Sequence, residues 1–463
     1  MVNEVSKGNK EKTGFKLAVS YSFGEVASNL SWYMINSYLT LFYTDVLGLA
    51  ATAISGIMLF ARVFDTVFDP LMGMIADRTN TRWGKFRPYI MFAPPFLAIF
   101  NVMTFTVFPV TGMTKIALCF ITYFFTGILY SVCNVSFSSL INVIAKDSTV
   151  RMNIQTVRGT ASSICSIVLA AVVMPSILYF GHSNTANAKG FLITNIILSV
   201  LLVIFFWLCA GNCKEKYVNE FHSTTNSEKK GFIKSIKSLV KNDQLTLVIL
   251  CVFLGAIAIT GRMSLLAYYI IYVVGSYQAI ALIFTTVTVA QLVGNMTIPI
   301  GTKYLGKKGY MIAINVLAII AFVILYFFPI NNVTFLLVMF FLSGIANCAA
   351  TICFGMISDA IEYGDWKNSV REEGLATSFL SLSVKLATAI CGSVGILLIA
   401  ASGYVPNAQQ TVSAKNGISF VVNIIPAICI FVSLIPLFFY KLNDKRVAEI
   451  RTELDERKAK ETN

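Results

Sequence analysis

Charge is scarce in this chain. Only 13% of its 463 residues are Asp, Glu, Lys or Arg, about half of the roughly 25% usual in soluble proteins. Histidine is scarcer still, with His182 and His222 the whole supply, which leaves little for metal or histidine-based chemistry. Ten cysteines are present, but residues such as Cys119, Cys133, Cys165, Cys251 and Cys391 sit in apolar runs without paired spacing. Neither a disulfide framework nor a zinc site is expected from them. The N-terminus is polar and Lys-rich, with no short apolar region and cleavage site, so no cleaved signal peptide is expected. No nucleophile–base pair and no cofactor motif is found, which argues against an enzyme and against a bound cofactor.

Hydrocarbon takes the place of charge: 56% of the residues are hydrophobic. The apolar residues fall in runs of about 20–30, each long enough to cross a hydrocarbon core of ~30 Å. Twelve such runs are read, near 18–43, 50–75, 89–109, 114–144, 157–181, 190–211, 245–274, 277–300, 309–329, 332–358, 373–402 and 417–441. The longest polar interval divides them six and six. The predicted fold is an all-α membrane protein of twelve transmembrane helices in two pseudo-symmetric six-helix bundles. Its parts are an N-terminal tail at 1–17, a first bundle at 18–211, a central loop at 212–244, a second bundle at 245–441 and a tail at 442–463. The loop after span 2 (ADRTNTRWGKFRPY) and the loop after span 8 (GTKYLGKKGY) are both short, basic and glycine-bearing, as an internal repeat would make them.

The net charge of +13 might suggest a nucleic-acid partner, but its placement argues against one. With the N-terminus inside, 30 of the 36 Lys and Arg fall in cytoplasmic segments. Lys115, Lys189 and Lys415 fall outside, and Arg62, Arg262 and Lys385 fall within spans. This is the positive-inside bias of a multi-pass membrane protein, with both termini cytoplasmic and the plasma membrane as the expected location. The Lys-rich tails suit contact with anionic lipid head groups as well as simple solvation. The last segment, KLNDKRVAEIRTELDERKAKE, reads as a solvated cytoplasmic helix.

Span 2 carries ARVFDTVFDPLMG, in which Arg62, Asp65 and Asp69 are spaced by three and four and share one helix face. A charge at mid-bilayer costs roughly 2.5–3.5 kcal/mol even on lenient scales, so such a face should look into protein. Two carboxylates there suit the binding and release of a small cation. In span 1, Glu25, Asn29, Trp32 and Asn36 form a polar and aromatic stripe at helical period, suited to a hydroxylated ligand or to helix–helix bonding. In span 4, Thr126, Tyr130, Asn134 and Ser138 recur every four residues, with Ser131 on the edge nearer the span 2 acids. Such groups bond sugar hydroxyls without demanding charge, and they also serve helix packing. Span 11 places Ser378, Ser381, Lys385 and Thr388 on one face. Lys385 is ~18 Å deep at 1.5 Å per residue, comparable to Asp65 from the other side, and the span 2 acids are its expected partners. Arg262 in span 7 reads as either an anion partner or a snorkelling residue, and the snorkelling reading is preferred.

These residues resemble the glycoside–pentoside–hexuronide:cation symporter family, the melibiose-permease-like branch of the major facilitator superfamily. The likeness covers nearly the whole chain. It is carried by GEVASNL in span 1, YTDVLG after it, RVFDTVFDPLMG in span 2 and the loop DRTNTRWGKFRPY. NVSFSSL in span 4 and SDAIEYGDWKNSVREEG followed by Lys385 complete it. The resemblance implies cation-coupled sugar uptake by alternating access. It implies that Asp65 and Asp69 hold the coupling ion, Na+ or H+, with Ser131 contributing a hydroxyl and Lys385 nearby. It also implies that Glu25, Asn29, Asn134 and Arg158 lie on the sugar pathway, where the stripes add Trp32 and Ser138. Melibiose-type members have a carboxylate where this chain has Asn134 and a Trp where it has Ser138. That departure points away from galactosides and toward pentosides, other glycosides or hexuronides. Phe68 replaces a polar residue that sodium-using members can carry, which favours H+ over Na+. Related possibilities are a lysolipid-type solute or a membrane sugar sensor that does not transport. A glycosidase dyad is argued against, because such carboxylates straddle a bond from separate elements, whereas these two share one helix face. Complementary charges at the cytoplasmic ends (Asp77, Arg78, Arg82, Lys85 and Arg87 against Asp359, Glu362, Asp365 and Arg371) are expected to bridge the bundles as an inner gate. The expected partners are a sugar, a coupling cation and membrane lipid, with the monomer as functional unit.

Overall fold

The computed structural model describes residues 2–145, 148–215, 242–328, 332–368 and 373–461. Those residues are almost entirely helical. Six helices form the first half: α1 Val2–Leu41, α2 Ala51–Arg78, α3 Arg87–Thr104, α4 Gly112–Ile144, α5 Ser148–Gly181 and α6 Ala188–Asn212. The second half comprises α7 Asp243–Tyr268, α8 Ala279–Phe327, α9 Val333–Ile345, α10 Ala349–Asn368, α11 Glu373–Ala401, α12 Val412–Ser419, α13 Ile425–Phe439 and α14 Asp444–Glu461. Short π-helical turns extend α1, α7 and α12 over Phe42–Val46, Tyr269–Val274 and Phe420–Ile424.

Among the described residues nine helical runs are long and apolar enough to cross a membrane. Two of the predicted spans, 277–300 and 309–329, lie in the single run α8. Gly306, at φ +69° inside it, breaks the helical geometry and divides it in two. With α1 and α3 the described helices therefore match twelve spans, because α9 joins α10 and α12 joins α13 through short non-α turns.

The chain divides into two compact units, Met1–Asn226 with Ser276–Leu282, and Ser227–Gly275 with Ile283–Asn463. In the first, α1 packs on α5 and α6, α3 on α4 and α6, and α2 on α4. In the second, α7 is the hub, packed by α10, α11 and α13. The ten cysteines are all free thiols. The same loop chemistry recurs in both units. Thr79 pairs with Tyr89 (2.6 Å) across the loop after α2, and Thr297 pairs with Tyr310 (2.7 Å) across the break in α8. Each loop contains a Gly–Lys step, Gly84–Lys85 and Gly306–Lys307, with the glycine at positive φ, where a side chain would be strained.

The C-terminal helix α14 corrects the expectation of a fully solvated segment. Val447 and Ile450 are buried against the α10 end of the second unit. The Trp366 indole N–H donates to Glu453 (2.6 Å), and Arg457 donates to the Trp366 carbonyl (3.0 Å). The spacing of Val447, Ile450 and Leu454, three and four residues, is the apolar stripe that accounts for this docking.

Candidate functional site

Glu25 and Arg158 meet where α1 packs on α5. Arg158 Nε donates to Glu25 Oε2 at 2.6 Å, in a pair only 17–23% exposed. Ser162, one turn further along α5, donates to Glu25 Oε1 (3.3 Å) and accepts from the Asn29 amide (2.9 Å). The guanidinium lies 5.0 Å from the centroid of the Phe137 ring, which stacks on Tyr21 at 4.5 Å. Gly24 makes this approach possible, because a Cβ there would stand 2.4 Å from the Phe137 ring. The result is a partly buried ion pair from two helices, with hydroxyl and amide neighbours. Such a group offers donors and acceptors at once, as a polyol requires.

A second constellation joins α2 to α4. The exposed apolar residues Phe60, Val63, Val67, Leu71 and Met74 line one side of α2, and Arg62, Asp65 and Asp69 occupy other positions around it. Asp65 seats against the α4 backbone, where a Cβ on Gly127 would be 2.8 Å from its Oδ1. Further along the same helices Gly73 faces Val135. Both pairs have the same sequence offset, and that register sets Asp69 level with Ser131, which is buried. Pro70 has no N–H, so the Thr66 carbonyl, between the two acids, loses its usual i+4 donor. Two carboxylates, a hydroxyl and a released carbonyl oxygen form a donor set suited to a proton or a small hard cation.

Arg62 joins the acid face of α2 to an aromatic pair on α1 and α4. It stands 3.9 Å from Asp65 Oδ2, and its Cζ lies 4.4 Å from the Trp32 ring centroid. Trp32 stacks on Tyr130 of α4 at 5.2 Å. Asn134 and Ser138 are half-buried on α4.

The expected residues thus fall into groups. Glu25, Asn29 and Arg158 come together around Ser162, and Trp32 meets Tyr130. Asp65, Asp69 and Ser131 share the α2–α4 contact. Lys385 is half-buried on α11 of the second unit, where its carbonyl accepts from Thr388 (2.7 Å). Of the residues expected at the inner gate, Arg371 and the Asp77 side chain lie outside the described residues. Arg78 and Arg82 are exposed, and Arg82 covers the Trp83 ring at 4.2 Å. Asp359, 2% exposed, is ion-paired with Lys307 in its own unit, and Glu362 is half-buried. Lys85 is half-buried where the loop after α2 returns to α3. Its backbone N–H, with those of Phe86 and Arg87, donates to the Glu215 carboxylate at 2.8–2.9 Å. Glu215 thereby caps the N-terminus of α3, whose first amides have no helical partner. The sequence reading missed Glu215, Ser162, Gly127 and Lys307. Only Lys307 left a signal, as the counterpart of Lys85 in the repeated Gly–Lys loop.

Arg262 is also corrected. It does not snorkel: it is 4% exposed and packs inside the second unit.

A chain of amphipathic spans with buried ion pairs and polar stripes defines a multi-pass membrane transport protein. The profile of the family described as "MFS/sugar transport protein" matches residues 20–444, so the chain belongs to that family. It is 31% identical to the isoprimeverose transporter of Lactiplantibacillus pentosus, over 96% of this chain and 91% of that one. It is 28% identical to the glucuronide carrier protein homolog of Escherichia coli, over 97% of both. The fold is similar to the crystal structure of a D-xylose-proton symporter, with TM-score 0.64 and 14% identity over 90% of this chain and 97% of that one. It is likewise similar to a bacterial homolog of the human lysosomal transporter Spinster, with TM-score 0.65 and 14% identity over 96% and 98%. The fold is that of the major facilitator superfamily, and the protein is a sugar transporter, not an enzyme.

Proposed function

We propose that the chain carries a pentoside, another glycoside or a hexuronide into the cell, driven by a cation that binds at Asp65 and Asp69. The α2–α4 register carries this reading, since it sets Asp69 level with Ser131 and Asp65 against Gly127. H+ is the preferred coupling ion, because Phe68 stands where sodium-using members of the family can carry a polar residue, and a hard cation wants several oxygen ligands. Glu25, Arg158, Asn29, Trp32, Asn134 and Ser138 are the proposed sugar contacts. The printed names of the two relatives, for isoprimeverose and glucuronide, support a glycoside or hexuronide substrate. Arg62 touches both groups, so neutralising Asp65 frees its charge to act on the Trp32–Tyr130 side. Lys385 is the proposed cation-site neighbour from the second bundle. Asp77, Arg78, Arg82 and Lys85 with Asp359, Glu362 and Arg371 are the proposed inner gate. The protein works as a monomer in the plasma membrane with both termini in the cytoplasm.

The test is uptake of a radiolabelled xyloside, galactoside and glucuronide into proteoliposomes under an imposed H+ or Na+ gradient. Accumulation above equilibrium with one gradient, lost in Asp65→Asn, is the expected result. Uptake that only equilibrates and ignores Asp65→Asn would reject the coupling site.

A further inference from the structure

Arg262 on α7 is a buried cation that the proposed transport cycle does not use. Its Cζ lies 4.3 Å from the Phe322 ring centroid and 4.9 Å from that of Phe340. Nη1 donates to the Ser343 hydroxyl at 3.3 Å, and that hydroxyl donates onward to the Phe340 carbonyl. Nε and Nη2 are buried and meet no acceptor among the described residues. Among the described residues no carboxylate pairs with the guanidinium there. Its titratable neighbour among the described residues is Tyr269, a phenol whose hydroxyl donates to the Leu325 carbonyl.

Arginine does not shed its proton in proteins. Aromatic faces return only part of what burying a full charge costs, and a buried charge without a counter-charge is strongly destabilising. The two unsatisfied nitrogens are neighbours on one edge of the planar fork. Their N–H bonds run side by side in the guanidinium plane, the arrangement that binds anions bidentately. Both nitrogens are shut off from solvent, which restricts the ligand to a small one, and one positive charge matches one negative charge.

We propose that the Nε–Nη2 edge of Arg262 binds a small monovalent inorganic anion of the chloride class, which gives the buried guanidinium its counter-charge. This site is independent of the α2 acids, so it stands or falls apart from the transport reading.

The experiment is thermal unfolding of the full chain in detergent, with the cation and ionic strength held constant. Chloride and bromide are titrated against gluconate, and sulfate serves as a larger dianion. Chloride and bromide are expected to raise the midpoint by about 2–4 °C in a saturable manner, and sulfate is not. Arg262→Gln is expected to abolish the increment. If that variant does not fold, Arg262→Lys keeps the charge but lacks the two-nitrogen edge, and its half-saturating chloride concentration should rise at least about tenfold. A wild-type midpoint indifferent to halide, as bridging water would give, overturns the proposal. So does a chloride response unchanged in either variant.

Discussion

Arg62 lies 4.4 Å from the Trp32 ring centroid and 3.9 Å from the Asp65 carboxylate. One side chain of α2 therefore touches both its own acid face and the aromatic stack that joins α1 to α4. A change of charge at Asp65 is felt at Trp32 through a single guanidinium, without any need for a long relay.

Gly127→Ala tests the α2–α4 contact. The new Cβ would stand 2.8 Å from Asp65 Oδ1, so the carboxylate must shift. A weakening of cation affinity of about tenfold, equal to about 1.4 kcal/mol, is expected in the ion dependence of uptake. Gly56→Ala on α2, where a Cβ meets nothing within 4 Å, should leave that dependence unchanged.

Glu25→Gln and Arg158→Gln should each destabilise the protein by about 1–3 kcal/mol. Breaking a fully buried pair costs about 3–5 kcal/mol, and this pair is 17–23% exposed. Each should also abolish sugar binding. A double-mutant cycle read by thermal unfolding checks the coupling, and additive losses would show that the 2.6 Å contact contributes nothing of its own.

Glu215→Gln removes one of two acceptor oxygens that together take three backbone N–H bonds. Hydrogen bonds to a charged group contribute about 1.5–3 kcal/mol, and a loss in the lower part of that range is expected from thermal melts. Gly84→Ala should be worse. Its φ is +114°, and a Cβ would fall 2.5 Å from the same carboxylate.

Asp243 and Lys367 give a small pH-dependent contribution. Partial burial pushes the Asp243 carboxyl up, but hydrogen bonds from Lys367 and Gln244 outweigh it and hold the group below its usual value. Its contribution is therefore full above the unfolded carboxylate pKa and fades as pH falls through the folded one. The bond to Asp243 raises the Lys367 ammonium, so its share is lost only as pH rises through the folded lysine pKa. Both side chains are 43–48% exposed. Lys367→Met should thus cost no more than about 0.5 kcal/mol at neutral pH, with the difference vanishing in acid.

Sequence determined much of this protein, because the signals are local. Apolar runs of bilayer length, the Lys and Arg bias between loops, and the three-and-four spacing of Arg62, Asp65 and Asp69 all follow from helix period and solvation cost. The stripes of spans 1 and 4 were legible for the same reason. Partnerships across helices were not. Glu25 and Arg158 are 133 residues apart, and only the packing of α1 on α5 chooses Arg158 over the other cations as the partner of Glu25. Arg262 shows the limit most clearly. A lone arginine in an apolar run reads equally well as snorkelling or buried, since period alone does not say whether lipid or another helix covers its face. Helix packing in the second unit set Phe322, Phe340 and Ser343 around it, and that decided where its charge had to be balanced.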